Sequence, residues 1–459
     1  MMDHDLIVVG GGAAGLGAVR AALWAGADVA LITDSPPGGD CTFTGCVPSK
    51  TLLAAARDGL GFSEAMTRVR STVEQIAATE SVEVLQSQGV TVVQGRARLT
   101  THDTVAVGDR RITAPRIVLA TGSRPALPDD VPGLTEAQPL TNETVFDLAE
   151  TPESLGVIGG GATGCELAQA FARLGVEVTL FEQGRQLLPS EDSEAAALVS
   201  EALGLLGVAI RLDTRVEAVE PAPDGGVAVR TLCRDGAADG APVVCERLLA
   251  ATGRVPVTEG LGLEEMRVKL DPRGHVVTND RMMTSLRGVY AAGDVTGRAF
   301  LSHAADEMGR IAAGNALGKG RRGRFRGDTV PKVVFTDPEL ASVGVTPADA
   351  PAGSRVAFLP LAEVDRAVTD GRIDGFIAIV AGPRRLLRNT GGGRILGTTI
   401  VAPRAGEMIS EIVLAMRTGA FAGRLAQASH AYPTWSNGVQ KTAAQFFGEV
   451  EGRRARRVG

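Results

Sequence analysis

Cysteine is scarce in this chain, with five residues among 459, too few to staple a disulfide-built scaffold. Histidine is as scarce, at positions 4, 102, 275, 303 and 430, and no pair of these with the remaining cysteines has the spacing that completes a zinc site. Long apolar runs are missing too. The longest uncharged one, residues 6–19, carries five glycines and falls short of the ~20 residues that span a bilayer, so no transmembrane helix is expected. There is no excess of positive charge: 47 Lys and Arg stand against 53 Asp and Glu, spread along the chain, which argues against nucleic acid or a membrane as partner. The beginning lacks the basic residues of a secretory signal and carries Asp3 and Asp5 instead, so the expectation is a cytoplasmic protein. The length is too great for one core and predicts two or three domains.

Two of the five cysteines stand close together, in Cys41-Thr42-Phe43-Thr44-Gly45-Cys46-Val47-Pro48-Ser49-Lys50. Residues five apart diverge on a regular helix, so the sulfurs meet only if the intervening residues turn back, which Gly45 permits. Pro48 marks a helix start, where unpaired N–H groups and the positive helix end favour a thiolate at Cys46. Read alone, the pair could be redox-active, two core thiols or half of a zinc site. The surrounding nucleotide motifs favour the redox pair.

The chain opens with a β-rich run, residues 5–9, entering Gly10-Gly11-Gly12-Ala13-Ala14-Gly15 and an Ala-rich helical stretch. In this strand, G-x-G-x-x-G, helix pattern Gly10 makes the turn, Gly12 admits a pyrophosphate and Gly15 lets helix and strand approach. The next strand should end in an acid for the ribose, and Asp34 is the candidate, uncertain by one position. Residues 51–88 read as helical with a break at 59–61. Residues 117–125 form a buried strand running into the turn at Gly122, and prolines 125, 128 and 132 mark a linker. The first signature then recurs. Gly159-Gly160-Gly161-Ala162-Thr163-Gly164 follows a strand, and the next strand ends in Glu182, its acid in place. Two such folds imply two dinucleotides, with a redox pair lying between them in the chain.

A Gly-rich hairpin is expected around 224–241, and Cys233 and Cys245 flanking it could face each other or stay apart. Cys165 reads as packing. Residues 248–256, with Gly253, echo the earlier strand and turn, and a later strand ends in Gly293-Asp294, a carboxylate at a ligand-collecting edge or a plain turn residue. The basic run 319–326 reads as a solvated linker. After residue 330 strands and helices continue without a phosphate loop, and the Arg-rich tail 453–457 is expected to be disordered.

Both Gly-rich signatures, the Cys41–Cys46 motif and Ala292-Gly293-Asp294 together resemble the flavin-dependent pyridine nucleotide-disulfide oxidoreductases over almost the whole length. Within that family, which also includes dihydrolipoamide dehydrogenases, the cysteine motif and Tyr432-Pro433-Thr434 look closest to the mercuric-reductase-like branch, more than to lipoamide dehydrogenase or glutathione reductase. The resemblance implies an α/β protein: two Rossmann-like dinucleotide-binding domains, for FAD (1–148, returning at 271–329) and NAD(P)H (149–270), and an α+β C-terminal dimerisation domain (330–459). It implies FAD on Gly10, Gly12, Gly15, Asp34, Gly122, Asp294 and the segment His303-Ala304, and NAD(P)H on Gly159, Gly161, Gly164, Glu182 and Gly253, with NADH preferred. Electrons would leave through Cys46, the sulfur beside the flavin, and Cys41, the interchange thiol. Lys50 would lie by the flavin's reactive nitrogen, paired with Glu166.

The family brings a His-Glu pair from the partner subunit of a homodimer. Here those positions hold Tyr432 and Asn437, with His430 two residues earlier as a substitute acid, and the chain's last residues lack the cysteine pair of mercuric reductases. The implied activity is an NAD(P)H-dependent flavoprotein oxidoreductase with an unidentified small-molecule or metal-ion acceptor and no resident metal. The competing readings are a quinone, metal or oxygen reductase using the cysteines only as a relay, and a nucleotide-binding regulatory flavoprotein with little turnover.

Overall fold

The computed structural model of the chain describes all residues except 1, 224, 235, 238–239, 319–321, 384–388 and 459. Parts of the expected hairpin at 224–241 and of the basic run at 319–326 therefore lie outside the described residues. The chain divides into two compact units, Met1–Pro128 with Leu140–Thr151 and Thr252–Gly327, and Asp129–Pro139 with Pro152–Ala251 and Asp328–Gly459.

The first unit is built on a parallel sheet. Its strands run in the order Val289–Ala291, Ile117–Leu119, β1 (Leu6–Val9), β2 (Val29–Thr33), β3 (Thr91–Gln94). The four residues of β1 are all buried, as an apolar run in a sheet covered on both faces must be. Helix α1 (Ala13–Trp24) packs against the helix Ser302–Leu317 along glycines: a Cβ at Gly309 would lie 2.0 Å from the Ala14 carbonyl oxygen, and one at Gly17 2.6 Å from that of Asp306. The stretch expected to be helical with one break, residues 51–88, falls on α3 (Cys46–Arg57), α4 (Phe62–Thr79) and a short helix Val82–Ser87, with the expected break at 59–61 between α3 and α4, and a short α2 (Gly39–Phe43) precedes it. Residues 252–270, expected with the second nucleotide fold, belong to the first unit, because Arg254–Pro256 pairs antiparallel with Ser123–Pro125.

The second unit repeats the parallel pattern, with strands in the order Ala209–Arg211, Glu177–Phe181, Ser154–Ile158, Arg247–Ala250. A three-stranded antiparallel sheet follows, in which Cys245 stands opposite Val227 and Cys233 opposite Thr214, so the two cysteines do not face each other. The unit closes with a six-stranded sheet whose buried Ile377, Ile379 and Ile400 pack with Met408, Ile409 and Ile412 of the helix Ala405–Thr418. The tail is not the disordered end the sequence suggested. Arg456–Arg457 forms an edge strand on Arg355–Pro360, and Arg453 pairs with Glu363 at 3.0 Å. No described helix is long and apolar enough to cross a membrane.

Candidate active site

Each Gly-rich loop has the geometry a pyrophosphate needs. Gly10 and Gly159 sit at φ +108° and +106°, and a Cβ at Gly15 or Gly164 would lie 1.9 Å from the carbonyl oxygen of Gly10 or Gly159. Gly12 and Gly161 are the N-caps of α1 and of the helix Ala162–Arg173 and carry no side chain to satisfy the helix N–H groups. No protein atom would lie within 4 Å of a Cβ at Gly161, and only the Cα of Gly39, at 3.9 Å, would approach one at Gly12. Unsatisfied donors at a positive helix end, facing space that a side chain would fill, fit a dinucleotide in both folds.

The two folds differ at the ribose acid. In the second, Glu182 follows the strand whose Phe181 pairs with Ile158, and its carboxylate accepts the N–H of Gly160 at 2.7 Å and of Gly184 at 2.6 Å. In the first, Ile32 pairs with Val9, so the residue equivalent to Glu182 is Thr33 and not the expected Asp34. The neighbours agree: a Cβ at Gly160 would meet Glu182, and one at Gly11 would meet Thr33 Oγ1 at 3.0 Å. Asp34 lies one residue beyond and faces the exposed Arg96 at 3.5 Å. A one-residue shift at a strand end turns the side chain away, which corrects the Asp34 assignment.

The redox motif folds back as its spacing requires. Thr44 N–H donates to the Asp40 carbonyl at 2.9 Å, and a Cβ at Gly45 would lie 2.8 Å from that same oxygen. The turn lies against the first phosphate loop, where Gly38 N–H donates to the Gly11 carbonyl at 2.9 Å and a Cβ at Gly39 would strike Gly12 Cα at 2.7 Å. Cys46 is the first residue of α3, whose N-cap Gly45 offers no side chain, so the helix end faces its sulfur. The two sulfurs are hydrogen-bonded rather than covalently joined. That bond, then burial, then the Cys46 charge push the Cys41 thiol well above its ordinary value. These causes favour the protonated form of Cys41, and Cys46, at the helix end, is the candidate thiolate of the pair. Ser302 Oγ lies 3.3 Å from Cys46 Sγ. By contrast burial pushes Cys165 up, and Cys245 up to about 11, as expected of packing thiols.

Beside the pair lies a network that long sequence separation hides. Arg254 donates to Ser123 Oγ at 2.6 Å, to the Ser123 carbonyl at 2.8 Å, to Asn142 Oδ1 at 3.3 Å and to the Asp40 carboxylate next to Cys41. Ser123 Oγ in turn donates to Asp294 Oδ2 at 2.6 Å. Burial raises Asp294, opposed by the Ser123 bond and the Arg254 charge. Its sequence trace was the echo between the two Thr-Gly turns, since these segments pair in the sheet. Gly122 and Gly253 hold φ +72° and +123° there, and Ala304 is buried in the first turn of the helix Ser302–Leu317, beside His303. Lys50, on α3, donates to Ser49 Oγ at 3.3 Å.

In the second unit, buried Glu166 accepts the Phe335 N–H at 2.9 Å. His430 is not placed as a mobile acid. Its side chain is 9% exposed, with Nδ1 2.9 Å from the Ala428 carbonyl and Nε2 2.9 Å from Glu411 Oε2, so both ring nitrogens already have partners. Tyr432 is exposed, and its hydroxyl bonds to Asp365, which raises the phenol and lowers the carboxyl. Asn437 donates to Gln440 Oε1 at 3.0 Å. Among the described residues no group of three or more His, Cys, Asp or Glu could hold a metal ion.

Two dinucleotide folds and a dithiol motif in one chain define a class of electron-transfer flavoenzymes. Residues 4–309 match the pyridine nucleotide-disulphide oxidoreductase family, and residues 330–443 match its dimerisation domain. The chain belongs to this family, and is an oxidoreductase using FAD and NAD(P)H. It is 35% identical to a dihydrolipoyl dehydrogenase of Thermus scotoductus, over 96% of this chain and 97% of the relative. It is 32% identical to a mercuric reductase of Staphylococcus aureus, over 98% of this chain and 83% of the relative. The Cu(II) complex of the HOCl-induced flavoprotein disulfide reductase RclA from Escherichia coli superposes with a TM-score of 0.86 at 29% identity, covering 97% of this chain and 99% of that one.

Proposed function

We propose that this protein takes electrons from NADH and delivers them through the Cys41–Cys46 dithiol to an acceptor that needs no proton on its leaving group, a thiophilic metal ion being the best fit. The observation that carries this reading is the acid position. Tyr432 bonded to Asp365 and Asn437 in place of a carboxylate leave that position without an imidazole acid paired to a carboxylate, and His430, two residues earlier, is held by Glu411 and the Ala428 carbonyl. A departing thiolate needs such an acid. A soft metal ion does not, and two thiolates are its natural ligands. The Cu(II) complex of RclA is consistent with an acceptor of this kind in a similar fold.

Bound FAD would supply the two-electron relay between nicotinamide and disulfide. Gly10, Gly12 and Gly15 would hold its ADP half and Asp294 its ribityl chain, with Ser123 and Arg254 orienting that carboxylate. Lys50 would lie at the flavin, and the second loop with Glu182 would hold the nicotinamide nucleotide. Residues 1–128, 140–151 and 252–327 serve FAD in this reading, 152–251 the nucleotide, and 330–459 a cytoplasmic homodimer in which Tyr432 faces the partner's cysteines. Sedimentation as a monomer with full activity would contradict the dimer.

Three further outcomes follow from the residues. NADH should exceed NADPH by at least about tenfold in kcat/KM, because a carboxylate fixed at Glu182 repels a 2′-phosphate. Equal or better use of NADPH, through the exposed Arg185, would refute this. Anaerobic titration with NADH should produce a long-wavelength thiolate-to-flavin absorbance band, and Cys46→Ser should lose it. A band that persists in Cys46→Ser would place the charged sulfur elsewhere.

A further inference from the structure

The family places an imidazole beside the dithiol, and this chain has none at that position, so the charge on Cys46 must be held by something else. We propose that Ser302 is a working part of the redox centre: its hydroxyl donates to the Cys46 thiolate and takes over charge stabilisation that the chain's missing acid pair would otherwise share. The proposal rests on reading Cys41–Cys46 as the redox pair. Two electrons and one proton open the disulfide to one thiolate and one thiol, both derived from NADH and solvent. The proton goes to Cys41, and Cys46 keeps the charge.

Three observations support the assignment. Ser302 Oγ is 3.3 Å from Cys46 Sγ, and the same hydroxyl acts against the upward pressure on the neighbouring Cys41 thiol. Ser302 is the first residue of the helix Ser302–Leu317, whose N-cap is Leu301, and its hydroxyl lies at the Cys46 sulfur. Finally, Cys46 opens α3 beneath a glycine N-cap, so the backbone helix end supplies only part of the charge stabilisation and a side-chain donor adds directly to it. The contact joins residues 256 apart, which no local pattern in the chain announces.

The titratable groups near the pair include Asp40 and Cys41 on α2, Lys50 on α3, Glu80 at the end of α4, which also presses Cys41 upward, His303 beside Ser302, and Arg254 on Asp40. Changing Ser302 leaves all of them in place.

The test uses the full-length FAD-loaded protein carrying Cys41→Ser, in which Cys46 is the sole sulfur of the pair and its thiolate absorbs against oxidised flavin without any reduction. The pH midpoint of that band is measured alongside the pH midpoint of Cys46 alkylation by iodoacetamide, read as peptide mass. A hydrogen bond to a charged sulfur corresponds to roughly one to two pH units, so adding Ser302→Ala should move both midpoints up by about that much. Ser302→Thr, which keeps the hydroxyl, should restore them to within about 0.3 unit. Midpoints unchanged in Ser302→Ala, or a shift that Ser302→Thr does not reverse, would overturn the role of the hydroxyl. If the Cys41→Ser protein gives neither band nor alkylation of Cys46 at any pH, the redox-pair reading itself fails and the proposal with it.

Discussion

Replacing Cys41 by serine should lower NADH-dependent reduction of an external acceptor by at least about a thousandfold, since it removes the nucleophile that meets the acceptor. Its bond to Cys46 and its burial push this thiol above its ordinary value, and it lies one residue from Asp40, which Arg254 holds. The band from Cys46 should survive in this variant and appear even before reduction, because Cys46 retains its helix end and Ser302. Steady-state turnover with the band recorded on the same sample separates the roles of the two sulfurs. Full turnover without Cys41 would mean that electrons leave from the flavin directly, as in a quinone or oxygen reductase, and no turnover with any acceptor in the wild type would favour a regulatory flavoprotein.

The second large effect lies at the acid position. The double variant Tyr432→His with Asn437→Glu should raise kcat/KM for lipoamide and glutathione disulfide by roughly 10²- to 10⁴-fold, the usual worth of a general acid of suitable pKa. The wild-type phenol is poor for this purpose on two counts. Its ordinary value near ~10 is too high, and its bond to Asp365 raises it further. Asn437, meanwhile, spends its amide on Gln440. Turnover with a metal-ion acceptor should change little, because no leaving-group proton is involved. An unchanged rate with both disulfides would indicate that the acid is supplied by a residue other than Tyr432.

Much of this was legible in the chain because it is local. Strand, Gly-x-Gly-x-x-Gly and helix follow one another within a dozen residues, and the turn between Cys41 and Cys46 is closed by Gly45 and Asp40 inside the same motif. What escaped is what depends on pairing across distance. Asp34 and Thr33 are both polar and adjacent, and only the register of β1 on β2, compared with its counterpart at Ile158 and Phe181, shows which one occupies the position of Glu182. Arg254 reaches Asp40 across 214 residues and Ser302 reaches Cys46 across 256, so neither had a local signal. The tail misled for a related reason. Its arginines looked like a solvated end, yet Arg456 and Arg457 pair through their backbone with a strand a hundred residues earlier, where their side chains remain exposed.

Whether the dithiol serves an acceptor that needs no acid is decided by a single comparison. Wild type and His430→Ala are assayed under identical NADH for reduction of lipoamide, glutathione disulfide and a thiophilic metal ion. The account predicts slow turnover with both disulfides, the same slow turnover in His430→Ala because that imidazole is already bound to Glu411 and Ala428, and faster turnover with the metal ion. Disulfide reduction at rates ordinary for the family, collapsing in His430→Ala, would contradict it.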